Sequence, residues 1–257
     1  MINPMSLDGR SVIVTGAAQG IGLSTVHLLY ELGAQVTMLD RNNEKLAEAA
    51  SAFDAGRILV QCGSITDRAF VGHAVAAHVA RFGAVDGLVN NAGITRTAMI
   101  EKMTSEDWQA VIDVNLTGVF NMLQSVGATM VARAKEGDPN PGTIVNISSD
   151  AGRKGTIGQI NYGAAKSGVL GITMSAAREW GRHGIRVNSV AYGVVETEMT
   201  EVARSEKFRD RYLSNLPLGR FLSPDEAAYS IAFLLSPASA FITGQNLSVN
   251  GGGHITT

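Results

Sequence analysis

Short apolar runs recur along the chain, separated by longer stretches in which apolar positions return every three or four residues. The first pattern suits strands buried on both faces, the second amphipathic helices packed against them. Seven runs read as strands, at residues 11–15, 35–40, 57–62, 87–90, 142–148, 185–191 and 246–249. Helical stretches fill the intervals, an alternation that predicts βαβ units around a mainly parallel sheet with helices on both faces. One helix opens at Gly20, another follows Asn43, and a third follows Thr66-Asp67, whose side chains suit an N-cap. Thr104 with Asp107 has capping-box spacing, and Ser223-Pro224-Asp225-Glu226 joins a cap, an early proline and a returning glutamate. Residues 136–142, with two prolines and two glycines, read as a surface loop rather than a boundary. The expected fold is a single doubly wound α/β domain over residues 1–257.

At 45% hydrophobic residues, 257 positions are enough for a sizeable core. A formal charge of −2 offers no basic field to nucleic acid, and the only adjacent basic pair, Arg153-Lys154, reads as part of a glycine-flanked loop. The single cysteine, Cys62, excludes an intramolecular disulfide, and neither a signal peptide nor a membrane-length apolar run is seen. A reducing cytoplasm and no membrane partner are expected. The five histidines are dispersed without metal-ligand spacing, so no metal is expected.

Residues 15–22, Thr-Gly-Ala-Ala-Gln-Gly-Ile-Gly, follow the first strand and open the first helix, where a dinucleotide pyrophosphate meets a positive helix end. Such a turn also serves any tight strand-to-helix connection, but Asp40 narrows the choice. It ends the second strand 18 residues after Gly22, near the ~20-residue spacing of a carboxylate that accepts from ribose hydroxyls. That charge repels a 2′-phosphate, whereas the adjoining Arg41 is able to pair with one, so NAD is expected ahead of NADP.

Tyr162 and Lys166 lie four residues apart in a helix predicted over 161–183, on one face. A tyrosine titrates near ~10, and an adjacent ammonium favours its phenolate, which suits acid–base work on a carbinol proton. Ser149 stands at the end of the fifth strand, 13 residues before Tyr162, where a hydroxyl can stabilise charge on a reacting oxygen. Ser148 is its rival, and strand-end serines also form turns. Asn115 falls inside an apolar helical stretch, 108–122, where its amide needs a partner such as a water or the lysine, or else kinks the helix.

Taken together, the turn at 15–22, Asn90-Asn91-Ala92-Gly93, Asn115, Ser149 and Tyr162-x-x-x-Lys166 resemble the short-chain dehydrogenase/reductase family in order and spacing. The resemblance implies a Rossmann domain that exchanges a hydride between NAD(H) and a secondary alcohol or its ketone. It assigns Tyr162 as acid/base, Lys166 to lower its pKa and hold the nicotinamide ribose, Ser149 to orient the carbonyl, and Asn115 to anchor a relay water. Cofactor contacts fall on Gly16, Gln19, Gly20, Ile21, Gly22, Asp40, Arg41, Ser64, Ile65, Asn91, Ala92, Gly93, Val195 and Thr197, beside Tyr162 and Lys166. Two departures stand out. Tyr192-Gly193 replaces the usual Pro-Gly after strand six, placing a ring expected against the cofactor or pocket wall, and Ser64 replaces an aspartate that accepts from adenine.

Gly158-Gln159-x-Asn161-Tyr162 and Val249-Asn250-Gly251-Gly252 resemble 3-oxoacyl thioester reductases, including those acting on acyl-carrier-protein substrates. A dehydrogenase of a free cyclic alcohol, polyol or hydroxy acid is the alternative. A catalytically silent dinucleotide sensor is opposed by Ser149, Tyr162 and Lys166 together, and a lyase or epimerase by the lack of room for a substrate domain after Val249. The family implies a homotetramer, and residues 198–215 are expected as a flexible segment covering the substrate.

Overall fold

A computed structural model describes residues 3–255; the first two and last two residues of the expected domain lie outside the described residues. Seven strands form one sheet: β1 Ser11–Thr15, β2 Gln35–Asp40, β3 Ile58–Cys62, β4 Gly87–Asn90, β5 Thr143–Ser149, β6 Arg186–Tyr192 and β7 Asn246–Val249. Their order is β3-β2-β1-β4-β5-β6-β7, and every pairing is parallel. The helices are α1 Gly20–Glu31, α2 Asn43–Ala50, α3 Arg68–Phe82, α4 Ser105–Ile112, α5 Val119–Lys135, α6 Ala151–Lys154, α7 Ile160–Trp180, α8 Glu201–Arg204, α9 Glu206–Leu213 and α10 Pro224–Leu235. The chain is thus a Rossmann-type α/β domain.

Alternation along the strands divides the core into two layers. Val12 and Val14 of β1 join Val36, Met38, Val145 and Val190 beneath α1 and α10, while Ile13 faces the other way with Leu88, Ile144 and Val187 beneath α3, α5 and α7. These side chains are almost wholly buried, at roughly 1.5–3 kcal/mol each for the larger ones. That burial holds the strand ends rigid.

Local chemistry sets the helix ends. Asp67 caps α3 by accepting from Ala69 and Phe70 N–H, and Asn42 caps α2 through Lys45 N–H. Ser223 and Glu226 form the full reciprocal box at α10, whereas Thr104 accepts from Asp107 N–H without a return bond from the aspartate. Helix α7 ends at Trp180, short of the expected 183, because Gly181–His183 tighten into a 3₁₀ turn closed by Gly184 at φ +76°.

Two expectations need correction, at 153–154 and at 108–122, and the segment 198–215 gains detail. Arg153-Lys154 belongs to the single-turn helix α6, not to a loop. Residues 198–215 are largely helical, with a 3₁₀ turn at Glu198–Thr200 followed by α8 and α9; their abundance of Glu, Lys and Arg favours helix, and extended Ser205 separates the two. The stretch 108–122 is not one regular helix, since Asp113–Gly118 widens into a π-helical turn between α4 and α5.

Candidate active site

The order in which strands are added reverses between β1, whose partner is β2, and β4, whose other neighbour is β5, and this opens a crevice at their carboxyl ends. One wall is the glycine turn. Asn91 Nδ2 donates to the carbonyls of Thr15 and Gly16 at 3.0 and 3.1 Å, and Thr15 Oγ1 accepts from Asn91 and Ala92 N–H, both at 3.0 Å. A Cβ on Gly16, at φ +66°, would lie 2.9 Å from Ala92 Cα, and one on Gly22 would lie 1.9 Å from the Gly16 carbonyl oxygen. Only glycine permits this approach. Gln19 gives no side-chain cap to α1, and no acid occupies the first turn. An uncapped, positively polarised helix end beside a close glycine turn fits the pyrophosphate of a dinucleotide. Ile21 packs toward the core, leaving its backbone to the crevice.

Asp40 stands at the rim. Its Oδ2 accepts from Ala18 N–H at 3.2 Å and its Oδ1 from Asn42 N–H at 3.0 Å, while Arg41 is exposed. Ser64 Oγ pairs with Thr66 Oγ1 at 2.8 Å. Ile65 is buried against α3 and α5, and its carbonyl accepts from Asn121 Nδ2 at 3.0 Å, so its side chain belongs to the core.

β5 and α7 bring the reacting groups together. Ser148 is buried and donates to the Lys166 carbonyl at 2.9 Å, which removes it as a rival. Ser149 is the last residue of β5; its Oγ accepts from Ala151 N–H at 3.2 Å, and its hydroxyl is the side-chain group that favours the Tyr162 phenolate. The Tyr162 phenol is hemmed in by protein atoms although part of the residue reaches solvent. Burial pushes it up to about 12, with Ser149 pulling the other way. Burial, and not the lowering expected from Lys166, sets the direction. Lys166 is 2% exposed, its Nζ donates to the Ile147 carbonyl at 2.7 Å and lies 5.6 Å from the Tyr162 ring centre, and burial brings it down to about 8.

Asn115 occupies the π-helical turn, a distortion frequent at functional sites. Its amide spans one residue, with Nδ2 donating to the Ile94 carbonyl at 2.7 Å and Oδ1 accepting from Ile94 N–H at 2.9 Å. Ile94, not a lysine bond, supplies the partner the sequence demanded. A Cβ on Gly93 would meet Asn115 Oδ1 at 2.7 Å and Lys166 Nζ at 3.7 Å, so these three residues converge.

The segment after β6 closes the other side. The Val195 carbonyl accepts from Thr197 N–H at 2.9 Å and from Thr200 Oγ1, which leaves the Val195 N–H as its backbone group for a ligand. Thr197 Cγ2 lies 3.1 Å from a Cβ built on Gly20, so segment and glycine turn touch. Lys45 Nζ bridges Gln19 Oε1 at 2.6 Å and Glu198 Oε2 at 2.9 Å. Nothing local marks that bridge, since Lys45 and Glu198 are 153 residues apart. Tyr192 corrects the sequence reading: it ends β6, is 3% exposed, and sends its hydroxyl to the Ala227 carbonyl at 2.6 Å and Ser230 Oγ at 2.8 Å on α10. The ring fills core beneath α10 because the strand continues one residue further and its alternation turns that position inward.

Among the described residues no cluster of three or more His, Cys, Asp or Glu side chains is placed to hold a metal, and no helix is long and apolar enough to cross a membrane. The family model described as enoyl-(acyl carrier protein) reductase matches residues 16–254. A 3-oxoacyl-[acyl-carrier-protein] reductase of Thermotoga maritima is 43% identical over 96% of this chain and 99% of its own length. An acetoacetyl-CoA reductase of Synechocystis is 40% identical over 97% and 98%. The crystal structure of a gluconate 5-dehydrogenase from Burkholderia cenocepacia, in complex with NADP and tartrate, superposes with a TM-score of 0.90 at 38% identity, covering 97% of this chain and 96% of that one. The chain therefore belongs to the short-chain dehydrogenase/reductase family and is an NAD(P)-dependent oxidoreductase acting on CH–OH groups and their ketones.

Proposed function

We propose that the chain is an NAD(H)-preferring reductase of 3-oxoacyl thioesters, working in the cytoplasm as a homotetramer. The observation that carries this reading is the convergence of Ser149, Tyr162 and Lys166 beside the glycine turn at the β1/β4 crevice. The dinucleotide, when bound, supplies the hydride; Gly16, Gln19, Gly20, Ile21 and Gly22 would hold its pyrophosphate through backbone N–H groups, with Asn91, Ala92, Gly93, Val195 and Thr197 toward the nicotinamide. Ser64 and the backbone N–H of Ile65, whose side chain lies in the core, would face adenine.

Tyr162, neutral at pH 7 with its pKa near 12, gives its proton to the carbonyl oxygen as that oxygen gains charge. Ser149 Oγ accepts from Ala151 N–H, so its own proton remains to share between the phenol and the substrate oxygen. Lys166, buried and charged below about 8, stabilises the phenolate left behind. Asn115 fixes the Ile94 backbone, next to Gly93, which lies beside the lysine.

Asp40 supports NAD(H). Both its oxygens are hydrogen-bonded as a carboxylate is, and a 2′-phosphate would meet that charge. Arg41 is the competing group, and the NADP-bound gluconate 5-dehydrogenase favours a second reading, oxidation of a polyol or hydroxy acid with NADP. The names of the two bacterial reductases support the thioester, and α8 with α9 supports a cover over it. Exposed Trp108, Phe120, Met174 and Leu247 support assembly.

Following NADH and NADPH absorbance with acetoacetyl-CoA, gluconate and tartrate decides between the readings. The expected result is thioester reduction with a higher kcat/KM for NADH, abolished at least ~100-fold by Tyr162→Phe with cofactor binding retained. NADPH preference overturns the Asp40 reading, and Arg41→Ala should then reverse it; turnover of gluconate alone overturns the thioester. Sedimentation velocity showing a monomer overturns the assembly.

A further inference from the structure

A buried polar clasp joins the residue after Ser149 to the C-terminal turn. Asp150 is 6% exposed, and both its carboxylate oxygens accept from Asn250 Nδ2, at 2.9 and 3.1 Å. Asn250, 8% exposed and just past β7, also donates to the His254 carbonyl at 3.0 Å and accepts from Gly252 N–H at 3.1 Å. On α6, Lys154 Nζ lies 3.5 Å from Asp150 and donates to the Gly253 carbonyl at 2.9 Å, and Arg153 bonds Ser248 Oγ. A carboxylate withdrawn from water is costly unless matched, and an apolar pair would join two segments as well.

The clasp meets the chemistry on two sides. Asp150 N–H donates to the Tyr192 carbonyl at 2.9 Å and Ala151 N–H to Ser149 Oγ at 3.2 Å, so the turn that Asn250 grips sets the direction of the Ser149 hydroxyl, which acts on Tyr162. On the other side, the Gly251 carbonyl accepts from Leu218 N–H at 3.2 Å, and a Cβ on Gly252 would lie 2.8 Å from Pro217. The C-terminal turn is seated under the residues that follow α9. We infer that Asp150 and Asn250 are positioning residues that orient Ser149 and anchor the base of the α8–α9 segment together, governing turnover and not cofactor binding. This rests on the reading of Ser149 and Tyr162 given above.

Asn250→Asp sets two carboxylates face to face. It is expected to lower kcat for acetoacetyl-CoA reduction about tenfold or more, since small displacements at a reacting group cost up to about a hundredfold, while the cofactor Kd stays within about twofold. Asp150→Asn combined with Asn250→Asp restores a donor opposite an acceptor and should return kcat to within about threefold of the unmodified enzyme. Full kcat in Asn250→Asp, a loss that appears equally in cofactor Kd, or no recovery in the exchange variant overturns the inference. If Asn250→Asp fails to fold, Asn250→Ala takes its place: several-fold lower kcat supports the clasp, and unchanged kcat overturns it. The unmodified enzyme and Tyr162→Phe are assayed alongside, because absent ketone reduction, or full turnover in Tyr162→Phe, refutes the underlying reading and not the clasp.

Discussion

Tyr192→Phe removes one oxygen from a ring that lies in the core beneath α10. The lost hydroxyl bonds the Ala227 carbonyl at 2.6 Å and Ser230 Oγ at 2.8 Å. Ser230 Oγ itself donates to the Ala227 carbonyl at 2.8 Å, so the truncation strands no buried donor. The cost is then the net value of one neutral hydrogen bond, about 1 kcal/mol, which lowers Tm by roughly 2–4 °C for a chain of this size. Tyr192→Ala also empties the ring's volume, at about 3–5 kcal/mol and on the order of 10 °C. Scanning calorimetry reads both shifts, and nucleotide fluorescence titration of Tyr192→Phe should give an unchanged cofactor Kd. An unchanged Tm with a Kd raised several-fold would place the ring against the cofactor and refute the argument.

Burial brings Lys166 down to about 8, so the ammonium that stabilises the phenolate is present below that pH and lost above it; kcat/KM for ketone reduction should fall through this range, a limb that Tyr162 at about 12 is too weak an acid to cause. A pH profile flat from 7 to 9.5 would remove the lysine from the titration. His78, wholly buried with Nδ1 2.6 Å from Thr37 Oγ1, is lowered to about 4, chiefly by burial. The unfolded chain takes up this proton below about 6.5 and the folded chain only near 4, so stability falls as pH drops between them, by about 3 kcal/mol in full. Denaturant unfolding at pH 7 and 4.5 should show that loss shrinking in His78→Gln, and an equal loss in both proteins refutes it. Ser223→Ala removes the α10 cap and should cost about 1 kcal/mol, read as a lower Tm with kcat unchanged.

Much of the fold was legible because its signals are local. Runs of β-branched residues, caps such as Asp67 and Ser223, and the strand–helix alternation each depend on neighbours a few residues apart, and together they restrict the chain to a parallel sheet with two covered faces. The four-residue spacing of Tyr162 and Lys166 likewise survives translation into helix α7. What the tertiary structure decided is what depends on distant partners. A one-residue extension of β6, paired with β5, turned Tyr192 into the core and away from the expected cofactor contact. Ser149 was separated from Ser148 only by which face of β5 meets α7. The partner of Asn115 was the backbone of Ile94, reached through a π-helical turn. Lys45 with Glu198, and Asp150 with Asn250, meet across 153 and 100 residues. No local pattern encodes such pairs, because their approach is set by the order in which the strands lie side by side.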